Sequence, residues 1–215
     1  FAVNLNKKRL HEFCLLQIKP IVLTGLHKNS SNKNYENIFC KSSITLGDGK
    51  ITGIKNLIVV RPTTFDISKT KEIAKEVYEI NGQFSINENY IICGSGRWGS
   101  ADPWLGIPVN WKQISQAKAI IEIGRHDLPI DPSFGSHFFQ NITSLHVAYF
   151  TINNKNKDDL LDLNWLQDKN LHKRMKFIDW YQFEEEFTIN LDGMSGFGNI
   201  QKPEKLKVEM MNEEE

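Results

Sequence analysis

The chain has 215 residues, with 26 basic and 26 acidic side chains and a hydrophobic fraction of 40%. This size and composition are those of a single globular domain, or of one domain with a small appendage. Balanced charge provides no basic field that would attract nucleic acid, and no apolar run reaches the roughly 20 residues of a membrane span. We therefore expect neither a nucleic-acid partner nor a membrane partner.

The start of the chain and its cysteines bear on its setting. The chain begins with Phe1, and no signal-peptide pattern follows, so we interpret it as a fragment or domain of a longer polypeptide. Cys14, Cys40 and Cys93 are scattered, and no pair has the spacing of a zinc or redox motif. This pattern favours a reducing, cytoplasmic setting.

The first elements along the chain are predicted to be a helix and a hairpin. Apolar residues at roughly helical spacing predict a helix over residues 5–16. Further on, the dipeptide Asp48-Gly49 separates two β-rich runs, at 43–46 and 51–54. Asp-Gly between alternating runs favours a tight turn, so these runs are predicted to pair as an antiparallel hairpin.

A strand, a helix and a second strand follow. Residues 57–60 form a continuous apolar run, typical of a strand covered on both faces. A helix over about 67–80 is predicted next, capped by Asp66 or Ser68, and residues 90–93 form the second strand. A strand–helix–strand sequence predicts a parallel βαβ unit.

The remaining elements complete the predicted fold. Strands are expected at 117–123 and 145–152, with a short helix over 136–144 between them. The fold class is α/β, a mixed β-sheet with flanking helices and a small aromatic-rich C-terminal extension. The α/β domain is assigned to residues 1–152, and residues 153–215 are assigned to the extension, which ends in an acidic tail.

The densest group of chemistry-bearing residues is the Gly/Trp loop, residues 94–111, which follows the strand at 90–93. Glycine lets backbone N–H groups approach a ligand, arginine binds phosphate or carboxylate through two parallel hydrogen bonds, and ligands bind at such strand ends. In the alternative interpretation, the loop is a structural corner in which tryptophans anchor the core and Arg97 pairs with Asp102. The candidate ligand-binding residues in this loop are Gly94, Gly96, Arg97, Gly99, Ser100 and Asp102.

A second candidate segment, residues 131–141, places Ser136 and His137 at the start of a predicted helix. The first amides of a helix favour anions, and a histidine beside them can act as a general acid or base. Ser136 is therefore a candidate ligand-binding residue and His137 the candidate catalytic residue. The alternative is a helix cap followed by a packed histidine. Because no zinc, calcium or nucleophile-elbow motif occurs, no metal is predicted.

Three stretches carry a resemblance to a known family. They are Gly96-Arg97-Trp98-Gly99-Ser100, Leu105-Gly106-Ile107-Pro108-Val109, and the run Asp-Pro-Ser-Phe-Gly-Ser-His-Phe-Phe-Gln-Asn from Asp131 to Asn141. Together they resemble the C-terminal region of bacterial phosphoenolpyruvate synthase-like, or pyruvate phosphate dikinase-like, proteins. The similarity runs over about residues 1–152.

The resemblance implies an accessory domain of an ATP-dependent phosphotransferase with a phosphate-bearing small molecule as its ligand. It also implies an upstream ATP-grasp domain in the same polypeptide, through which ATP would be bound. The chain lacks the Gly-rich Thr-Ser-His phosphohistidine motif, and it is too short for a phosphoenolpyruvate-binding barrel. No catalytic residue is therefore transferred, and a non-catalytic regulatory or protein-interaction module is the alternative function.

Overall fold

The computed structural model describes residues 2–4, 12–14, 37–100, 102–125, 137–153 and 155–204. Its strands are β1 (Ala2–Asn4), β2 (Glu12–Cys14), β3 (Ile38–Ser42), β4 (Ile44–Leu46), β5 (Gly49–Val60), β6 (Tyr90–Ser95), β7 (Arg97–Trp98), β8 (Gly106–Ile107), β9 (Ala117–Ile123), β10 (Ala148–Ile152), β11 (Leu160–Leu161), β12 (Leu171–Arg174), β13 (Ile178–Asp192) and β14 (Phe197–Gln201). The helices are α1 (Thr70–Asn81) and α2 (His137–Ser144), with short 3-10 turns at Ile67–Lys69, Trp111–Ile114 and Asn164–Asp168.

The main sheet closes on itself. Its strand order is β11-β3-β14-β13-β5-β6-β9-β10-β4, with β12 paired to β13. Only Ser43 separates β3 from β4, yet β3 pairs with β14 and β4 pairs with β10. The Ser42 hydroxyl donates to the carbonyl of Thr151 at 2.5 Å, and the Thr45 amide donates to the carbonyl of Gly196 at 2.9 Å. The continuous stretch β3–β4 therefore joins the two ends of the sheet.

One part of this sheet is parallel and positions the candidate site. β5, β6, β9 and β10 are parallel neighbours in that order, while β3, β13 and β14 pair antiparallel. α1 connects β5 to β6, and α2 lies between β9 and β10 in the chain. The predicted mixed sheet and parallel unit are thus confirmed. Strands dominate the described residues, and flanking helices are fewer than predicted.

Two apolar cores explain the continuous hydrophobic run at residues 57–60. Leu57 and Val59 point into the inner core, enclosed by the sheet, while Ile58 and Val60 point into the outer core beneath α1 and α2. Burial of both faces removes the alternation that a half-exposed strand would show. In the turn before α1, the Asp66 carboxylate accepts the Ser68 amide at 2.8 Å, as its predicted capping role requires.

The predictions for the amino-terminal part were wrong at two places. The runs beside Asp48-Gly49 do not pair with each other, because β4 pairs with β10 whereas β5 pairs with β13 and β6. The Asp48 carboxylate instead accepts the Gly193 amide at 2.9 Å. Within the predicted helix at 5–16, residues 12–14 form β2, paired with β1, and the rest lies outside the described residues.

The segment assigned to a C-terminal extension supplies interior strands of the sheet. β13 lies between β5 and β14, and β14 lies between β13 and β3. Phe187 is fully buried, with its ring 5.9 Å from that of Phe39, and the Trp165 and Phe183 rings stack at 5.2 Å. The aromatic residues of this segment are therefore core residues, and no break in the sheet falls at residue 152. The acidic tail lies outside the described residues.

No helix in the described ranges is both long enough and apolar enough to cross a membrane.

Candidate functional site

The Gly/Trp loop folds back over the outer face of the sheet. Within it, β7 and β8 pair in parallel. The Trp98 indole is buried against Gly94, where a Cβ atom would lie 2.8 Å from the ring, and its Nε1 donates to the carbonyl of Ile121 at 3.2 Å. Gly94 is thus a packing residue that allows the indole to reach the strand.

The backbone amides of residues 96–99 are all used within the protein. The Gly96 amide donates to the carbonyl of Ile123 at 3.0 Å, and the Arg97 amide donates to the carbonyl of Leu105 at 3.1 Å. The Trp98 amide donates to Oε1 of Glu122 at 2.7 Å, and the Gly99 amide donates to the carbonyl of Ile107 at 3.0 Å. These amides are therefore not available as the predicted backbone cradle for an anion. Their hydrogen bonds instead fix the position of the loop, because each ties it to β8, β9 or the residue that precedes β8.

Ser100 and Asp102 form a turn. The Ser100 hydroxyl donates to the carbonyl of Asp102 at 2.8 Å, and the Asp102 carboxylate accepts the Trp104 amide at 2.9 Å. Among the ion pairs of the described residues, none joins Arg97 to Asp102. The alternative interpretation is therefore correct for Trp98, which is a core anchor, but not for the expected partner of Arg97.

The Gly/Trp loop contacts α2. A Cβ atom on Gly99, which has φ +74°, would lie 2.4 Å from the Phe138 ring. The Phe138 and Trp111 rings form an edge-to-face pair with centroids 6.4 Å apart. Ser136 and the side chain of His137 lie outside the described residues, so their predicted roles stay predictions.

Glu122, which the sequence analysis missed, lies at the centre of this region. It is only 1% exposed and lies near the end of β9. Its Oε1 accepts the Trp98 amide at 2.7 Å, whereas its Oε2 has no hydrogen-bond partner among the described residues. A single acidic residue in the apolar run of residues 119–123 was the signal for it, since a buried carboxylate is unusual without a partner.

The electrostatics of Glu122 follow from its burial. Burial raises the pKa of Glu122 to about 7, although the Tyr149 hydroxyl, the Trp98 amide and the Arg97 guanidinium each favour the charged form. Burial and the neighbouring Glu122 carboxyl raise the pKa of Tyr149 as well. Arg97, Glu122 and Tyr149 thus form an interacting cluster, which we call the Glu122 cluster.

Arg97 differs from the other members of this cluster because it reaches solvent. Its side chain is partly exposed, and its guanidinium donates no hydrogen bond within the part of the chain that the structure describes. Guanidinium carries five N–H donors in a planar fork that matches phosphate and carboxylate. Arg97 is therefore the group of the Gly/Trp loop that can bind an anion.

A cleft of about 510 Å³ opens nearby, at the carboxyl ends of the parallel strands. Ser95 lies in its wall, two residues before Arg97, and Arg125 lines it with its guanidinium 5.5 Å from the Phe65 ring. Asp159, also in the wall, accepts the amides of Ser43 and Asn153, both at 2.9 Å. This carboxylate is therefore engaged in holding the wall together.

No group of three or more potential ligands arranged for a metal ion occurs in the described ranges. Comparison with protein-family models, with curated proteins and with solved structures finds no match to this chain.

Proposed function

We propose that this chain is an accessory domain of a phosphoenolpyruvate synthase-like, ATP-dependent phosphotransferase, and that it binds a phosphate-bearing small molecule at Arg97. The observation that carries the proposal is the position of Arg97. Arg97 follows the carboxyl end of β6, one of four parallel neighbouring strands, and its guanidinium has no hydrogen bond to a described protein group. Ligands of open α/β sheets bind at this edge.

The rigidity of the loop supports the binding of an anion by Arg97. Four backbone hydrogen bonds and the buried Trp98 indole hold the residues around it. A side chain on a fixed backbone loses less conformational freedom on binding, so more of the interaction energy appears as affinity. Ser95 and Arg125 in the adjoining cleft provide a hydroxyl and a second cation within the same region.

In this proposal, an ATP-grasp domain upstream in the same polypeptide supplies the nucleotide site. The setting is cytoplasmic and reducing, which agrees with Cys40 and Cys93 as buried free thiols whose pKa values are raised by burial. His137, which precedes the Phe138 contact with Gly99 by one residue, remains the candidate catalytic residue.

We expect Arg97→Ala to abolish stabilisation by the ligand while leaving the ligand-free melting temperature nearly unchanged. Loss of a charge-assisted contact weakens binding by about 1.5–3 kcal/mol, roughly tenfold or more in affinity. Arg97→Lys should restore only part of it, because lysine keeps the charge without the planar fork. Melting curves with ATP, AMP, pyruvate, phosphoenolpyruvate and inorganic phosphate measure both quantities.

Arg174→Ala is the matched control, since it removes the same type of side chain from a largely exposed position on β12. It should retain the full ligand-induced shift. A large loss of stability in ligand-free Arg97→Ala, with no ligand found for the wild type, would contradict the proposed function and assign Arg97 a structural role.

The alternative function is a non-catalytic regulatory or protein-interaction module. Trp104 and Leu105 favour it, because they are 63% and 42% exposed in the turn that precedes β8. Large apolar side chains exposed side by side are common at interaction sites. The parent reading frame separates the two functions: an upstream ATP-grasp pattern supports the phosphotransferase, and its absence supports the interaction module.

A further inference from the structure

We propose that Glu122 is the proton acceptor of the Arg97 site, so that an anion bound beside Arg97 is accompanied by uptake of one proton onto the Glu122 carboxyl. This inference rests on the proposed function and adds a proton to the chemistry of the ligand site. It makes Glu122 a residue that sets the pH range in which the site binds anions.

The geometry links the two side chains through one short strand. Arg97 and Trp98 together form β7, and the Trp98 amide holds Oε1 of Glu122 at 2.7 Å. The carboxyl therefore has a fixed position relative to the backbone of β7, the strand that carries Arg97. Its second oxygen, Oε2, is buried and has no hydrogen-bond partner in the part of the chain that is described. That oxygen is the atom that receives the proton.

The groups that face Glu122 decide its charge. Arg97 faces it from β7 and Tyr149 from β10. On β6 the residue in register with Glu122 is Gly94, which carries no charge, and the described buried side chains of α2 are the apolar Phe138 and Ile142. Of these groups, only the Arg97 guanidinium is a cation that can stabilise ionised Glu122.

An anion on Arg97 removes that stabilisation. The negative ligand offsets the guanidinium charge, and an ionised carboxylate buried without a counter-charge is strongly disfavoured. Glu122 then takes up a proton. Its pKa of about 7 in the free protein means that this exchange falls in the neutral pH range. Binding should therefore weaken as the pH rises above 7.

Sulfate is the probe for this linkage, because it resembles phosphate but keeps the same charge throughout the neutral range. Titration calorimetry of the wild-type chain at pH 7.5, in HEPES and in Tris, gives the number of protons exchanged from the difference in buffer ionisation heat. We expect uptake of roughly half a proton or more. This measurement needs no variant.

E122Q provides the second readout, since glutamine keeps the acceptor for the Trp98 amide but does not titrate. Between pH 6.5 and 8.5 the wild-type affinity for sulfate should fall about tenfold, whereas that of E122Q should stay constant. At pH 8.5 E122Q should therefore bind sulfate more tightly than the wild type. E186Q, which changes an exposed carboxylate on β13, should behave like the wild type.

The outcomes distinguish this inference from the proposed function. Arg97-dependent sulfate binding with neither proton uptake nor pH dependence overturns the role of Glu122 and leaves anion binding intact. Absence of any sulfate binding that Arg97→Ala removes overturns the proposed function, and the inference falls with it. If E122Q does not fold, the proton count of the wild type decides alone.

Discussion

Replacing Asp179 by alanine is expected to lower the free energy of unfolding by about 3–5 kcal/mol, because it leaves a cation without its partner in the protein interior. The Asp179 side chain is 5% exposed and accepts hydrogen bonds from two arginines. Arg61 Nη1 approaches its Oδ1 at 2.5 Å, and Arg174 binds both oxygens, at 2.8 and 2.9 Å.

The two arginines are unequal partners, and this provides a matched pair of variants. Arg61 is 17% exposed and also donates to the carbonyls of Met175, Lys176 and Ile178, so it joins the end of β5 to the β12–β13 turn. Arg174 is 60% exposed. An exposed ion pair contributes only about 0–1 kcal/mol, because water screens it.

Urea unfolding of Asp179→Ala, Arg61→Ala and Arg174→Ala tests this assignment. Asp179→Ala and Arg61→Ala should each lower the free energy of unfolding by several kcal/mol. The free energy of unfolding of Arg174→Ala should lie within about 1 kcal/mol of that of the wild type. Equal losses for the two arginine variants would show that the network is shared evenly rather than centred on Arg61.

The second large effect is a dependence of stability on pH that comes from Glu122. Its pKa rises from 4.5 to about 7 on folding, so the folded chain binds a proton that the unfolded chain loses between these values. The stability that the neutral carboxyl provides is fully present below pH 4.5 and is lost as the pH rises to about 7. The loss amounts to about 3 kcal/mol, at 1.36 kcal/mol for each pH unit.

The difference between the wild type and E122Q isolates this effect from other titrations, such as that of exposed Glu72, whose pKa is lowered to about 2 by Lys176 and Lys69. Urea titrations at half-unit steps from pH 4 to 8.5 measure the free energy of unfolding of both proteins. Between pH 4.5 and about 7, the free energy of unfolding of the wild type should fall relative to that of E122Q by about 3 kcal/mol. A difference that does not change with pH would mean that the pKa of Glu122 is the same in the folded and the unfolded chain.

Local pattern predicted the elements of the parallel half well. The apolar run at 57–60, the cap at Asp66 and the stripe of α1 are signals contained in a few neighbouring residues. These signals predicted a strand–helix–strand unit with parallel strands, and β5 and β6 are indeed parallel neighbours.

The features that the sequence analysis missed depend on residues that lie far apart in the chain. The dipeptide Asp48-Gly49 favours a hairpin, but β4 pairs with β10, which lies about a hundred residues further along the chain. In the fold, the glycines at 94 and 99 make room for Trp98 and Phe138, a packing role that the sequence pattern did not reveal. Glycine allows close approach without specifying what approaches, so composition alone does not distinguish ligand from side chain.

The position of the aromatic residues after 153 was missed for a related reason. Bulky rings on a charged background are compatible with a surface appendage or with strands that have one face in a core. β13 has this second arrangement in its carboxyl-terminal part, where Phe187, Ile189 and Leu191 are buried in the inner core and the residues between them are only partly buried. Sequence reveals the alternation but not which sheet it faces.

The one-residue link at Ser43 has a consequence for how this protein is made. β3 finds its neighbour, β14, about 160 residues later, so the ring of strands is incomplete until residue 201 has been synthesised. A nascent chain that ends at residue 152 would expose the open edges of β3 and β5, and such edges promote aggregation. Contacts between distant parts of a chain also slow folding. We therefore expect β13 and β14 to set the pace of folding, and dissection at residue 152 to yield no independently folded piece.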